Sequence, residues 1–240
     1  WWISPSTKPS GPDMYILHIA NKNYSSWSLR PWVLLRALDI PFTERAHRLG
    51  AEAFTDFSPS GKVPCLVDGD TVVWDSLAIV EYLAEHHSGV WPTDAQARTW
   101  ARCAAAEMHS GFASLRSQHG MNVGVRVAVA QRSPELLADI ARIEDLWNEG
   151  LTRFGGPFLA GRKYTAVDAF FAPVAYRFRT YGVPLQGAAA GYVQTLIDHP
   201  AMREWETAAL AEDFREAVHE ADLPRIGTVT ADLRTPVATA

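Results

Sequence analysis

PSGKVPCLVDGDTVVWDSLAIVEY, Pro59 to Tyr82, is the stretch whose reading decides the fold. Ser60-Gly61 signals a turn, and the short apolar runs Cys65 to Asp68 and Thr71 to Trp74 flank Gly69-Asp70, which predicts a β-hairpin. A helix is expected next, from about Leu77 to His86. Pro64 stands at the start of the first strand, where it has no N–H to give to a ladder. An edge position is therefore expected, leaving the backbone of Val63 for an extended peptide. Asp75-Ser76 falls where strand gives way to helix, and the N–H groups and positive dipole end found there favour a carboxylate. Taken singly, an ordinary strand start and an N-cap explain these residues. Together they put a docking edge beside an anion site.

Towards the N-terminus, Tyr15 to Ala20 mixes aromatic and β-branched residues as a strand does, and Asn21-Lys22-Asn23 breaks it. A loop carries Tyr24-Ser25-Ser26-Trp27-Ser28. Pro31 is tolerated in the first turn of a helix, which predicts a start near Trp27 or Ser28 and an end near Leu38. After Asp39-Ile40-Pro41, Phe42 to His47 reads as a second strand. The order βαβ-ββα is that of a thioredoxin-like α/β domain, expected over residues 14–88. Residues 1–13, WWISPSTKPSGPD, have prolines and no apolar signal-peptide core, so a mobile extension is expected, with Met14 a candidate start.

Towards the C-terminus, a turn-rich link at 89–94 precedes a region where strand signals fade, and an all-α helical bundle is expected over 95–222. Ala95 to Ser117 reads as one long helix, with Trp100, Ala104, Met108, Phe112 and Leu115 on a core-facing stripe whose far end can also line a pocket. Ser133-Pro134 opens another helix, to about Phe154. Thr165-x-x-Asp168 is a capping-box variant before the apolar run Ala169 to Tyr176. Over 223–240 the chain thins into Pro, Thr and Ala, and a mobile tail is expected.

Composition narrows the function classes. The chain has 240 residues, 48% hydrophobic and 20% charged, with a net charge of -5 and no basic run, which argues against nucleic acid as partner. No apolar run approaches the roughly 20 residues that cross a bilayer. Cys65 and Cys103 stand far apart and outside any C-x-x-C, so neither a disulfide framework nor a cysteine metal site is expected, and a reducing cytoplasmic setting fits. The eight histidines are scattered, and no metal is expected.

The strings Pro59 to Pro64 and Asp75 to Ile79 with Tyr82-Leu83, and the Thr165-x-x-Asp168 box, resemble the glutathione transferase family over most of the chain. The resemblance implies glutathione as co-substrate and a cis bond before Pro64. It implies Val63 pairing with the cysteinyl backbone, and Asp75 and Ser76 holding the γ-glutamyl group. Lys62 and Arg48 are candidates for the glycine carboxylate, with solvated surface cations as the plain alternative. Ser25-Ser26-Trp27-Ser28-Leu29-Arg30 resembles the Ser-Ser-Cys-x-x-Arg stretch of the zeta class, whose first serine activates the thiol; that residue is Ser25 here. Tyr24, Ser26 and Ser28 qualify chemically as well, and Ser26 is the second candidate. Trp27 replaces the zeta-class cysteine, which weakens the analogy to maleylacetoacetate isomerase. Glu107 to Phe112, Leu115-Arg116 and Met121-Asn122 are similar to a bacterial subgroup of the family. Trp27, Met108, Phe112 and Leu115 are expected to line the electrophile pocket. The leading expectation is addition of the glutathione thiolate to small apolar electrophiles. Glutathione-dependent cis-trans isomerisation of a maleyl compound is the alternative enzyme, and a transferase-like regulatory module without turnover the alternative class. A homodimer is implied by the family and by the Ala-rich helix from Ala95.

Overall fold

The computed structural model describes residues 15–50 and 54–236. The N-terminal extension and Met14, and residues 237–240 of the tail, lie outside the described residues. In β1 (Tyr15–Ala20), Tyr15, Leu17 and Ile19 are buried while Ile16 and His18 are half-buried, the alternation a pleated strand imposes. α1 (Ser26–Ala37) returns the chain to β2 (Phe42–His47), which runs parallel to β1. β3 (Cys65–Asp68) and β4 (Thr71–Trp74) form the antiparallel hairpin, and the sheet order is β2-β1-β3-β4. α2 (Ser76–His86) completes a thioredoxin-like domain.

Two details differ from the sequence reading. β3 is an interior strand, paired with β1 on one side and β4 on the other, so on that side the edge of the sheet is β4, and β2 forms the other edge. Pro64 avoids a ladder position by lying just before Cys65, the first paired residue. Pro31 sits in the second turn of α1, because the helix starts earlier, at Ser26. Ser28 to Leu35 are all buried, and packing of this kind outweighs the missing proline N–H.

The second domain comprises α3 (Ala95–Ser110), α4 (Ala113–Gln118), α5 (Pro134–Phe154), α6 (Ala166–Thr180), α7 (Gly187–Asp198), α8 (Pro200–Ala211) and α9 (Ala217–Ile226). The single helix expected from Ala95 to Ser117 is broken, because Gly111 ends α3 and Phe112 takes a left-handed backbone, φ 59°. Arg116 fastens the break by donating to the carbonyl oxygens of Met108, His109 and Gly111, the acceptors that a helix C-terminus leaves open.

This helical domain also carries a two-stranded ribbon, β5 (Val125–Val129) against β6 (Gly227–Asp232), where the sequence suggested no strand and a mobile tail from Leu223. The tail is held by Arg234, which ion-pairs with Glu220 at 2.6 Å and Asp232 at 2.7 Å. It lies over Gly124, where an added Cβ would stand 2.2 Å from its Cγ.

α6 is the axis of the helical domain, and only Arg179 of its residues escapes burial. The Asp168 carboxylate at its start accepts the N–H of Thr165 at 2.9 Å, the N–H of Leu159 at 2.9 Å and the Tyr192 hydroxyl at 2.7 Å. Burial pushes the Asp168 carboxyl up to about 6, and those donors pull the other way. Asp168→Ala leaves three buried donors without an acceptor, at roughly 1 to 3 kcal/mol each. Urea unfolding is expected to show a loss of about 3 kcal/mol or more, with Asp168→Asn losing less; a loss below about 1 kcal/mol contradicts this role.

Candidate functional site

The two domains meet over the loop that opens α1. Asn23 donates to Asn122 at 2.9 Å, the Val123 N–H donates to the Asn23 carbonyl, and the indole of Trp205 donates to the Lys22 carbonyl. These bonds fix Tyr24 to Trp27 between a sheet end and the helical domain. Two cavities open there. One, of about 410 Å³, is lined by residues that include Tyr24, Ser25, Ser26, Trp27, Lys62, Val63, Arg116, Arg177 and His219. The other, of about 420 Å³, is lined by Trp27, Ser60, Lys62, Val63, Pro64, Trp74, Asp75 and Ser76. They share Trp27, Lys62 and Val63, so together they form one groove.

At the second cavity the Val63–Pro64 peptide is cis, as the resemblance implies. Asp75 adopts φ 75° and caps α2, its carboxylate accepting the N–H groups of Leu77 and Ala78. Its other oxygen lies 3.5 Å from Nε2 of His109, and the fully buried Ser76 hydroxyl accepts from Arg30 Nη1 at 3.2 Å. Lys62 is exposed at the rim of both cavities. Arg48 lines neither; its guanidinium is drawn off by Asp213 at 3.4 Å and lies 5.7 Å from the Phe214 ring centre.

At the first cavity the two serines are bonded differently. Ser25 donates to the Ser28 hydroxyl at 2.7 Å, and Ser28 in turn accepts the N–H of Ala20. Ser26 accepts from Arg177 Nη2 at 3.2 Å, which leaves its own proton to give away. Tyr24 gives its proton to Glu220 at 2.8 Å and accepts from Arg234; burial, then the Glu220 bond, push its phenol up to about 12. It is therefore no free donor. Of the residues expected around the electrophile, Trp27 alone lines the cavity. Met108, Phe112 and Leu115 are buried in the core, because the break at Gly111 turns α4 back against α5. Leu49, Phe54 and Met121 supply apolar wall in their place.

Sequence reasoning missed the cations. Arg30 lies 4.2 Å from the Trp27 ring centre and Arg116 4.6 Å from it, cation–π contacts that clamp this half-exposed indole. Arg177 is buried, and burial followed by the charge of Arg116 brings it down to about 10, still protonated near neutrality. None of the three makes an ion pair among the described residues. Arg30 and Arg116 fall within the sequence motifs of the serine loop and of α3–α4, which assign them no role; Arg177 and His219 carry no local signal, since long-range folding alone brings them here. Among the described residues no group of His, Cys, Asp and Glu comes together to hold a metal.

Comparison with known proteins identifies the family and the fold. The model of the glutathione S-transferase N-terminal domain matches residues 24–86, and that of the C-terminal domain matches residues 129–208. Together these span more than half of the chain, which belongs to the glutathione S-transferase family. A stringent starvation protein A homolog of Pasteurella multocida is 28% identical over 58% of this chain, and the match spans 63% of that protein's length. The "probable maleylacetoacetate isomerase" of Caenorhabditis elegans is 26% identical over 78% of this chain and 90% of its own. Among solved structures, a glutathione transferase homolog from Drosophila mojavensis with bound glutathione has the same fold, with a TM-score of 0.63, 21% identity and coverage of 89% of this chain and 98% of that one.

The clasp behind Tyr24 is pH-sensitive in a definite direction. Burial raises the Glu220 carboxyl, but its bonds from Arg234, Tyr24 and Asn122 outweigh this and leave it below its ordinary 4.5. Its contribution to stability is complete above pH 4.5 and is lost as the pH falls from there through the folded value. Glu220→Gln is expected to lower the urea midpoint at pH 7, with the deficit shrinking below pH 4.5; a deficit independent of pH contradicts this.

Proposed function

We propose that the protein is a glutathione transferase that joins the glutathione thiolate to small electrophiles. The observation that carries the reading is the single groove on which Ser76, Asp75, Val63 and Lys62 converge at one end and Ser26, backed by Arg177, at the other. The donor chemistry fits the tripeptide. Ser76 and the start of α2 suit the γ-glutamyl carboxylate, and Asp75, with an oxygen turned to the groove, suits its ammonium. The backbone of Val63 suits the cysteinyl amide, and Lys62 suits the glycine carboxylate. The Ser26 hydroxyl, polarised by Arg177, donates to the sulfur. A charge-assisted bond of roughly 1.5 to 3 kcal/mol lowers a thiol pKa by about one to two units. This reading moves the activating role from Ser25 to Ser26, because the Ser25 proton is engaged by Ser28.

The electrophile end mixes apolar wall from Trp27, Leu49, Phe54 and Met121 with the charges of Arg116 and Arg177. The apolar wall supports a small apolar electrophile. The two guanidinium groups, which make no ion pair among the described residues, favour a second reading, isomerisation of an acidic maleyl compound, in keeping with the name of the Caenorhabditis elegans relative. The name of the Pasteurella multocida relative carries no enzymatic activity and marks the non-catalytic alternative. The unpaired Cys65 and Cys103 suit a reducing cytoplasm, and among the described residues no helix is long and apolar enough to cross a membrane. A homodimer is proposed across the β4 edge, where the exposed Val72 and Trp74 border an apolar hollow with Leu77 and Ala78.

Two measurements test the reading. Calorimetry should detect glutathione binding that Ser76→Ala weakens about tenfold or more; unchanged affinity would show that the proposed site is wrong. At neutral pH, Ser26→Ala is expected to cut turnover about tenfold or more and Ser25→Ala less. The reverse ranking returns the role to Ser25, and no turnover by the wild type with any electrophile favours the non-catalytic alternative.

A further inference from the structure

Part of the groove wall beside the serine loop comes from α9, which lies beyond both matched family segments. Glu216 caps this helix, and one carboxylate oxygen both accepts the backbone N–H of His219 at 2.8 Å and lies 2.6 Å from Nδ1 of the same ring. A carboxylate held against Nδ1 fixes the proton there and leaves Nε2 as the working nitrogen. Nε2 takes no hydrogen bond among the described residues. The ring rests on Tyr24, 5.1 Å between centres, and lines the cavity that also holds Ser25 and Ser26. An oriented imidazole with one open nitrogen, in the same cavity as the thiol-activating hydroxyls, is an arrangement for moving a proton.

We infer that His219, oriented by Glu216, is the proton carrier of this site, and that the electrophiles it serves are activated alkenes, α,β-unsaturated carbonyl compounds. The inference rests on the glutathione transferase reading. Displacement of halide from an aromatic ring expels its leaving group without needing a proton. Addition to an enone does need one. Nε2 takes the thiol proton as the sulfur ionises. The sulfur lone pair then forms the C–S bond at the β-carbon while the C=C π pair moves onto the carbonyl as an enolate. Nε2–H returns the proton to the α-carbon, so the sum is one thiol and one alkene giving one thioether, with His219 restored. Run to elimination instead of protonation, the same addition returns an alkene of the other geometry.

Charged and titratable groups meet His219 from every side of the cavity. On its own helix it faces the Glu216 carboxylate. From the loop before α1 it faces Tyr24, a neutral phenol. Lys62, Arg116 and Arg177 line the other walls of the same cavity.

The test uses the full-length protein with glutathione and two electrophiles, an aryl-substituted enone and a dinitro-activated aryl chloride. His219→Asn keeps an N–H for Glu216 and removes Nε2, so helix capping is preserved. With the enone its kcat is expected to fall about 100-fold, as for loss of a general acid–base, and at least tenfold more than with the aryl chloride. The limb of the wild-type pH–rate profile belonging to the imidazole should vanish. Glu216→Gln, which removes the orienting charge, should lose less and shift that limb. An equal loss with both electrophiles, or an unchanged enone rate and pH profile, overturns the assignment. Wild-type turnover of the aryl chloride alone overturns this inference and leaves the transferase reading standing; turnover of neither electrophile overturns both.

Discussion

Arg30, Arg116 and Arg177 are brought together beneath and beside the loop that opens α1, and their mutual repulsion is the constraint around which the site is arranged. Burying a guanidinium costs several kcal/mol unless other groups compensate it. Here the compensation is dispersed. Arg116 is absorbed by the carbonyls at the end of α3, Arg177 by the His119 carbonyl and Ser26, and Arg30 by Ser76 and the face of Trp27. Asp75 acts on Arg30 and Asp139 on Arg116 through charge without forming an ion pair, so positive potential is left facing the groove. The thiolate proposed to lie between Ser26 and Ser76 would meet that potential.

This arrangement draws the helical domain into a groove that opens on the thioredoxin-like one. Arg116 and Arg177 come from α4 and α6, and the bonds between Asn23 and Asn122 register those helices against the serine loop. The break at Gly111–Phe112 is part of the same design. It turns Arg116 back over Trp27 and sends Met108, Phe112 and Leu115 into the core. The C-terminal segment closes the opposite wall through Arg234, Glu220 and Tyr24, and in doing so engages the proton of the Tyr24 phenol.

Much of the first domain was legible because its signals are local. The hairpin turns at Gly69, which takes φ 56°, and the flanking runs are bounded by Pro64 and Asp75, so strand limits follow from residue chemistry. That Lys62, Val63, Asp75 and Ser76 line one cavity accords with the family resemblance of this same stretch, whereas the edge position expected at Val63 does not hold, because β3 is paired on both sides. The break in the helix from Ala95 was not, since the apolar stripe continues through it and only the long-range clasp of Arg116 reveals it. β6 hid in a Thr- and Ala-rich stretch because its order comes from β5, about a hundred residues away. Arg48 misled for the converse reason. Sequence proximity to the groove says nothing about Asp213, which claims its charge.

On this reading, positive charge left without an ion-pair partner at the serine loop ionises a bound thiol. Ultraviolet titration of glutathione bound to the wild-type protein tests it most directly, by reading the thiolate as pH is raised. A thiol pKa about one to two units below the ordinary value of roughly 8.5 is expected. A bound thiol that titrates where free glutathione does would contradict it.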